Sequence, residues 1–412
     1  MASDTLGGLP GGNMIRQIVP QKAVSVRGVP GKPMRASQRL LGSGMVGAAR
    51  NLVLAAILIL LGLVLLEGIS SWLLFLWDMA RTSRAAVAER VHTRYDELLG
   101  WVNVENVSTD NLYGEGRSLR TNSQGFRADH DYNVSPPPGK LRIICSGDSF
   151  TLGYGVDNDD TWCHILTRLD ERLETVNAGQ GGYGIDQAYL WYKRDGTRLQ
   201  HDVHLFAFIT ADFWRMRYRS FHGYGKPFLE LRDGELVVEN VPVPRQAFYA
   251  PWIARNIQIL NRLRTVQLLR SFLPAAGDPQ LPSAAATREV MMKVIEELEA
   301  LNRSQESRLV IVFLPTQIDY ASDESLNLRR FLGRELNRRQ IVFLDLIRDI
   351  RELPPGELGS LFITDESATH GFAAGHYSVK GNEFIARLIR ERLAAIPDLS
   401  SRLDELGSSD FD

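Results

Sequence analysis

Cysteine is scarce in this chain: 412 residues hold only two, Cys145 and Cys163. That number excludes a disulfide framework. The pair is read as buried free thiols, with one bridge open to it in an oxidising compartment. Charge of one sign is lacking too. The formal net charge is -2, so no basic field argues for nucleic acid, and no nucleic-acid partner is expected. Metal-ligand spacing, a phosphate-cradling loop and a dinucleotide fingerprint are all missing, so neither a metal nor another cofactor is expected. No internal repeat is found. What remains is an apolar fraction of 44%, normal for a folded chain with a real core.

The longest apolar run is Leu52 to Trp77, LVLAAILILLGLVLLEGISSWLLFLW, with Glu67 as its single charge. About 20 apolar residues cross the hydrocarbon core as a helix, so the run is long enough to span a membrane. Trp72 and Trp77 suit an interfacial belt. A cleaved signal peptide is the alternative, but its apolar core is shorter and a small-residue cleavage site follows it. Upstream lie Arg16, Lys22, Arg27, Lys32, Arg35, Arg39 and Arg50, with no acid after Asp4; downstream, Arg81, Arg84, Arg90 and Arg94 are mixed with Asp78, Glu89, Asp96 and Glu97. The positive-inside bias predicts a cytoplasmic N-terminus, a single pass through the inner membrane and an extracytoplasmic, periplasmic C-terminal part. Residues 1–49 read as a disordered cytoplasmic tail rich in Gly, Pro, Ser and Arg. Met34 and Met45 are alternative starts.

Residues 80–100 read as a helix leaving the membrane, within a linker or accessory segment over 78–139. Pro136 to Gly139 then breaks the chain before a catalytic domain over 140–396. There, short β-branched runs alternate with helical patterns. LRIICS, ETVNAG, VHLFAFI, RLVIVFL and IVFLDL are predicted strands; TWCHILTRLDERL, IDQAYLWYKRDG and NEFIARLIRERLAAI are predicted helices. This alternation predicts an α/β fold: a doubly wound, flavodoxin-like parallel sheet of about five strands, with the site at the strands' carboxyl ends. An insertion over about 215–282 reads as a hairpin turning at Arg232-Asp233-Gly234, followed by a helix. It is either a lid or a structural decoration. Residues 397–412 read as a C-terminal tail.

The first strand runs into Gly147-Asp148-Ser149. A serine there stands at the sheet's carboxyl edge, where backbone N–H groups favour a developing oxyanion; alternatively Asp148 and Ser149 only cap the next helix. The second strand ends in Asn177-Ala178-Gly179-Gln180-Gly181-Gly182, whose glycines let backbone approach a ligand. The third ends in Thr210-Ala211-Asp212. Gly375-His376 precedes the final helix, and a histidine in that loop suits a general base.

These four segments, in this order, resemble the SGNH/GDSL hydrolase family over roughly Arg142 to Leu393, apart from the insertion. LRTNSQGFR and GDSFTLGYGVDNDDTW resemble its membrane-anchored bacterial branch. The resemblance implies Ser149 as nucleophile, His376 as base, and the Ser149 and Gly182 backbone as part of the oxyanion hole, with Asp148 beside them. Two positions depart from the family. Its third-block asparagine, an oxyanion donor, is here Ala211, for which Thr210 or the insertion is a substitute. Its aspartate three residues before the histidine is here Ala373, so Asp365 is expected to orient His376, with Glu366 or a backbone carbonyl as alternatives and His370 as a competing base. Three functions stay open: an esterase acting on an acylated glycan or lipid of the cell envelope, an O-acyltransferase for an exported polysaccharide, and a binding module that kept only the fold.

Overall fold

The computed structural model describes residues 37–80, 92–222, 224–244, 263–272, 281–364, 367–368 and 373–408. The chain divides into two units, Met1–Leu66 and Glu67–Asp412. Helix α1 (Ser37–Ala80) begins in the first and ends in the second. Its stretch Gly47–Leu74 is long and apolar enough to cross a membrane, and residues 48–66 within it are all exposed. A soluble helix buries such a surface, so this one calls for lipid or a signal-sequence role. The helix starts well before Leu52. Residues 37–49 are therefore helical and not part of a disordered tail.

The second unit is built on five parallel strands. They are β3 (Leu141–Gly147), β4 (Leu173–Gly179), β5 (Val203–Phe208), β8 (Arg308–Phe313) and β9 (Val342–Asp345), in the spatial order β9-β8-β5-β3-β4. Counted along the chain this is the order 2-1-3-4-5, the doubly wound flavodoxin-like arrangement. Every residue of β3 and β5 is buried, which is why these strands read as continuous apolar runs and not as alternations. Ile143, Cys145, Leu205, Ala207, Val310 and Val312 share one core, while Ile144, Val176, Phe206, Phe208, Ile311 and Phe313 share the other. The period of two sends successive side chains to opposite faces. Helices α3 (Trp162–Leu169) and α9 (Val379–Ala394) cover the first face; α4 (Ile185–Arg194), α7 (Ala284–Ser304) and α8 (Leu326–Arg338) cover the second.

Four segments differ from the expectation. Of the helix expected over 80–100, residues 81–91 lie outside the described residues, and beyond them β1 (Thr93–Asp96) pairs antiparallel with β2 (Gly100–Asn103). The Asp96 carboxylate accepts from Leu98 N and Leu99 N at 3.0 and 2.8 Å and turns the chain between the two strands. The region ascribed to a linker is packed into the core through Leu99, Trp101 and Phe126. The C-terminal tail contains helix α10 (Pro397–Ser408), which buries Leu399 and Leu403. Cys145 and Cys163 form a disulfide, with Cα atoms 6.2 Å apart, and are not free thiols; β3 and α3 face each other across one core, which sequence distance concealed. In the insertion, β6 (Phe228–Arg232) and β7 (Glu235–Glu239) form the expected hairpin. Of the helix expected after it, Arg264–Phe272 (α6) is described and 245–262 lie outside the described residues.

Candidate active site

Ser149 is the first residue of the short helix α2 (Ser149–Leu152), immediately beyond β3. Asp148 caps that helix, its Oδ1 accepting from Phe150 N at 2.9 Å. Its other oxygen, Oδ2, accepts from Ser149 Oγ at 3.5 Å and from Arg215 Nη1 at 3.2 Å. Gly179, ending the neighbouring strand β4, lets the two strand ends meet: a Cβ there would sit 2.1 Å from Leu152 N. Asn177 fastens the same junction, donating to Thr151 O at 2.9 Å and accepting from Gly179 N at 3.0 Å.

His376 arrives from the far end of the chain. Its loop is pinned by Ile363 N donating to His376 O and Gly375 N donating to Ile363 O, each at 2.8 Å. The Tyr377 hydroxyl donates to Pro315 O at 2.6 Å. The imidazole lies between Phe150 and Tyr154, with ring centroids at 4.7 and 5.2 Å. Its Nε2 is 2.8 Å from Ser149 Oγ, within reach for proton transfer. Ser149 is 5% exposed, so the aromatic walls narrow the approach without sealing it.

A second serine–histidine pair exists among the described residues. Ser146 Oγ lies 2.6 Å from His204 Nε2. Both side chains are buried, at 1% and 0% exposure. His204 stacks on Tyr192 with centroids 3.6 Å apart, and its Nδ1 faces Asn302 Nδ2 at 3.1 Å. Burial pushes its pKa well below the ordinary value, so the ring stays neutral. Ser146 is buried on the face of the sheet covered by α4 and α7. This pair satisfies two buried polar groups; only Ser149 and His376 stand at the carboxyl edge.

The remaining candidates fall out as follows. Gly182 has φ +75°, and a Cβ there would strike the Phe221 ring at 2.8 Å; glycine is required on both counts. Thr210 opens α5 (Thr210–Arg215), and its hydroxyl is buried with no hydrogen-bond partner among the described residues. Ala211 is half-buried on the same helix and offers no donor. Ala373 is buried and gives only its carbonyl, to His376 N at 3.1 Å. Asp365, Glu366 and His370 lie outside the described residues.

Sequence reading missed two arginines. Arg127, in LRTNSQGFR, is buried and donates to Leu152 O, Gly153 O and Val156 O at 2.7, 2.6 and 2.6 Å. It therefore shapes the loop that follows the serine. Arg215, closing α5, donates to Asp148 Oδ2 at 3.2 Å. The motif around Arg127 was visible; its target was not.

No family model matches the chain. Solved structures similar to it are lipolytic hydrolases of the G-D-S-L type. One, a member of the lipolytic G-D-S-L family from Veillonella parvula, is 16% identical, covers 61% of this chain and 97% of its own, and has a TM-score of 0.35. A lipase/acylhydrolase from Enterococcus faecalis is 13% identical over 62% and 96%, with a TM-score of 0.37. An acetyl xylan esterase is 16% identical over 61% and 100%, with a TM-score of 0.36. At that distance the fold class stands on this chain's own sheet order, and the chemistry on its own side chains.

Proposed function

We propose that this chain is a membrane-anchored serine esterase in which Ser149 carries the acyl group and His376 is its base. The observation that carries the reading is the 2.8 Å contact between His376 Nε2 and Ser149 Oγ, made across 227 residues of sequence. A serine hydroxyl is a poor nucleophile until a neighbouring base takes its proton. In the proposed reaction His376 Nε2 accepts that proton as Oγ attacks the ester carbonyl. The oxyanion is met by the Ser149 and Gly182 N–H groups, with Thr210 as a further donor. Collapse breaks the ester bond, and the leaving alkoxide takes the proton from His376. Water, deprotonated by His376, then releases the acid and frees Ser149. Asp365 is the proposed orienting partner of the imidazole.

The same reading makes α1 an inner-membrane anchor with the catalytic unit on the periplasmic side. The arginine-rich flank before α1 supports that direction. So does the Cys145–Cys163 disulfide, a bond that persists in oxidising compartments. The proposed substrate is an acyl ester on a glycan or lipid of the cell envelope. The test is fluorophosphonate labelling of the full-length protein, together with acetate release from acetylated glycans and nitrophenyl esters. Ser149-dependent labelling and release support the esterase. Transfer of the acyl group to an added glycan, without free acid, assigns the O-acyltransferase instead. Absence of labelling in folded protein leaves a binding module.

A further inference from the structure

The third-block helix α5 lacks its side-chain oxyanion donor at Ala211, yet its last residue, Arg215, reaches the same site. One guanidinium nitrogen, Nη1, donates to Asp148 Oδ2 at 3.2 Å and to Tyr183 O at 2.9 Å, and also contacts the Asp212 carboxylate. Asp148 immediately precedes Ser149, and Tyr183 immediately follows Gly182. The guanidinium carbon sits 4.8 Å over the Phe221 ring, the ring against which Gly182 is packed. Arg215 is thus a cross-tie between the two chain segments to which the esterase reading assigns the backbone oxyanion donors.

We propose that Arg215 is a positioning residue for that pair of backbone donors, holding them at fixed separation where the family's third, side-chain donor is gone. The proposal rests on the Ser149 esterase reading. Its physical basis is preorganisation: an oxyanion hole stabilises the transition state only if its dipoles already point at the charge before it forms. With no asparagine donor at Ala211, the spacing of the two backbone donors matters more.

The surroundings argue against a surface ion pair of little consequence. Asp148 and Asp212 are about 1% exposed each, and the Arg215 side chain is 16% exposed. Burial, and then the neighbouring Asp148 carboxylate, hold the Asp212 carboxyl well above the usual range. Two buried acids therefore share one cation, and its three acceptors come from three different segments.

The test uses the full-length protein in detergent with nitrophenyl acetate. Arg215→Met should lower kcat by about thirtyfold or more and leave KM within about twofold, because the donors act on the transition state and not on bound substrate. Arg215→Lys keeps a cation with three N–H donors on one nitrogen, but that nitrogen lies one bond short of the Nη1 position; it cannot reach all three acceptors at once and should still lose about tenfold in kcat. Ala211→Asn, which restores a side-chain donor, should leave the parent enzyme unchanged or faster and recover at least about tenfold in the Arg215→Met background. A kcat within threefold of the parent in Arg215→Lys and Arg215→Met overturns the proposal. So does a loss that tracks a falling melting temperature and that Ala211→Asn does not recover. Parent enzyme without Ser149-dependent hydrolysis would instead defeat the esterase reading, and this proposal with it. If Arg215→Met does not fold, Arg215→Lys alone decides by the same kcat criterion.

Discussion

Replacing Ser146 and Ser149 separately by alanine asks which serine–histidine pair carries chemistry, because the two lie only three residues apart and make similar contacts. Ser146→Ala leaves His204 Nε2 without its 2.6 Å partner in a fully buried place. A buried polar group left unsatisfied costs about 1 to 3 kcal/mol. For a unit of this size that corresponds to a fall in melting temperature of roughly 2 to 6 °C. The carboxyl edge is untouched, so fluorophosphonate labelling should persist. Ser149→Ala should do the reverse. It removes the contacts of Ser149 Oγ to His376 Nε2 and, at 3.5 Å, to Asp148 Oδ2, together worth about 1 kcal/mol. Labelling should vanish, and turnover should fall to the assay background, a loss on the order of a million-fold where a nucleophile has been deleted elsewhere. The assay pairs in-gel labelling with thermal melts on the same preparations. Labelling retained by Ser149→Ala and lost by a folded Ser146→Ala would refute the reasoning and move the chemistry to the buried pair.

Other outcomes follow from the same geometry. Hydrogen bonds from Arg172, and then from Arg390, push the Asp170 carboxyl down to about 2. Its folded pKa is depressed, so its stabilisation is present above the unfolded value near 3.9 and is lost as pH falls from about 5 towards 2. Discounted for solvent screening, that is about 1 to 2 kcal/mol. Asp170→Asn should lower the melting temperature at pH 7 and flatten its decline in acid; an unchanged acid limb would contradict this. Gly179→Ala places a Cβ 2.1 Å from the Leu152 amide, backbone against backbone. It should cost about 3 kcal/mol or more and slow Ser149 labelling, whereas a stable, fully labelled variant would mean the junction yields freely. A reporter fused after Pro138 should behave as exported. Activity of a cytoplasmic reporter at that point would reverse the assigned orientation.

The sequence by itself determined the sheet and the address of a serine at its carboxyl edge. Five largely apolar runs alternating with helical patterns point to a parallel, doubly wound order, because a strand buried on both faces carries few polar positions to disguise it. The short run from β3 into Gly147-Asp148-Ser149 placed a serine at the carboxyl edge for the same local reason. The apolar content of α1 was equally plain from composition. Only the tertiary structure decided what long-range contact decides. It brought His376 to Ser149 across 227 residues, and it separated that accessible pair from Ser146–His204, which sequence cannot tell apart by residue type. It joined Cys145 to Cys163 because β3 and α3 share a core. It turned residues 93–103 into a hairpin through one carboxylate. It sent Arg127 to backbone carbonyls around the site, and Arg215 to one backbone carbonyl and two buried carboxylates; a carbonyl carries no side-chain signature, because any residue supplies the same oxygen, and only the fold says which one an arginine will find.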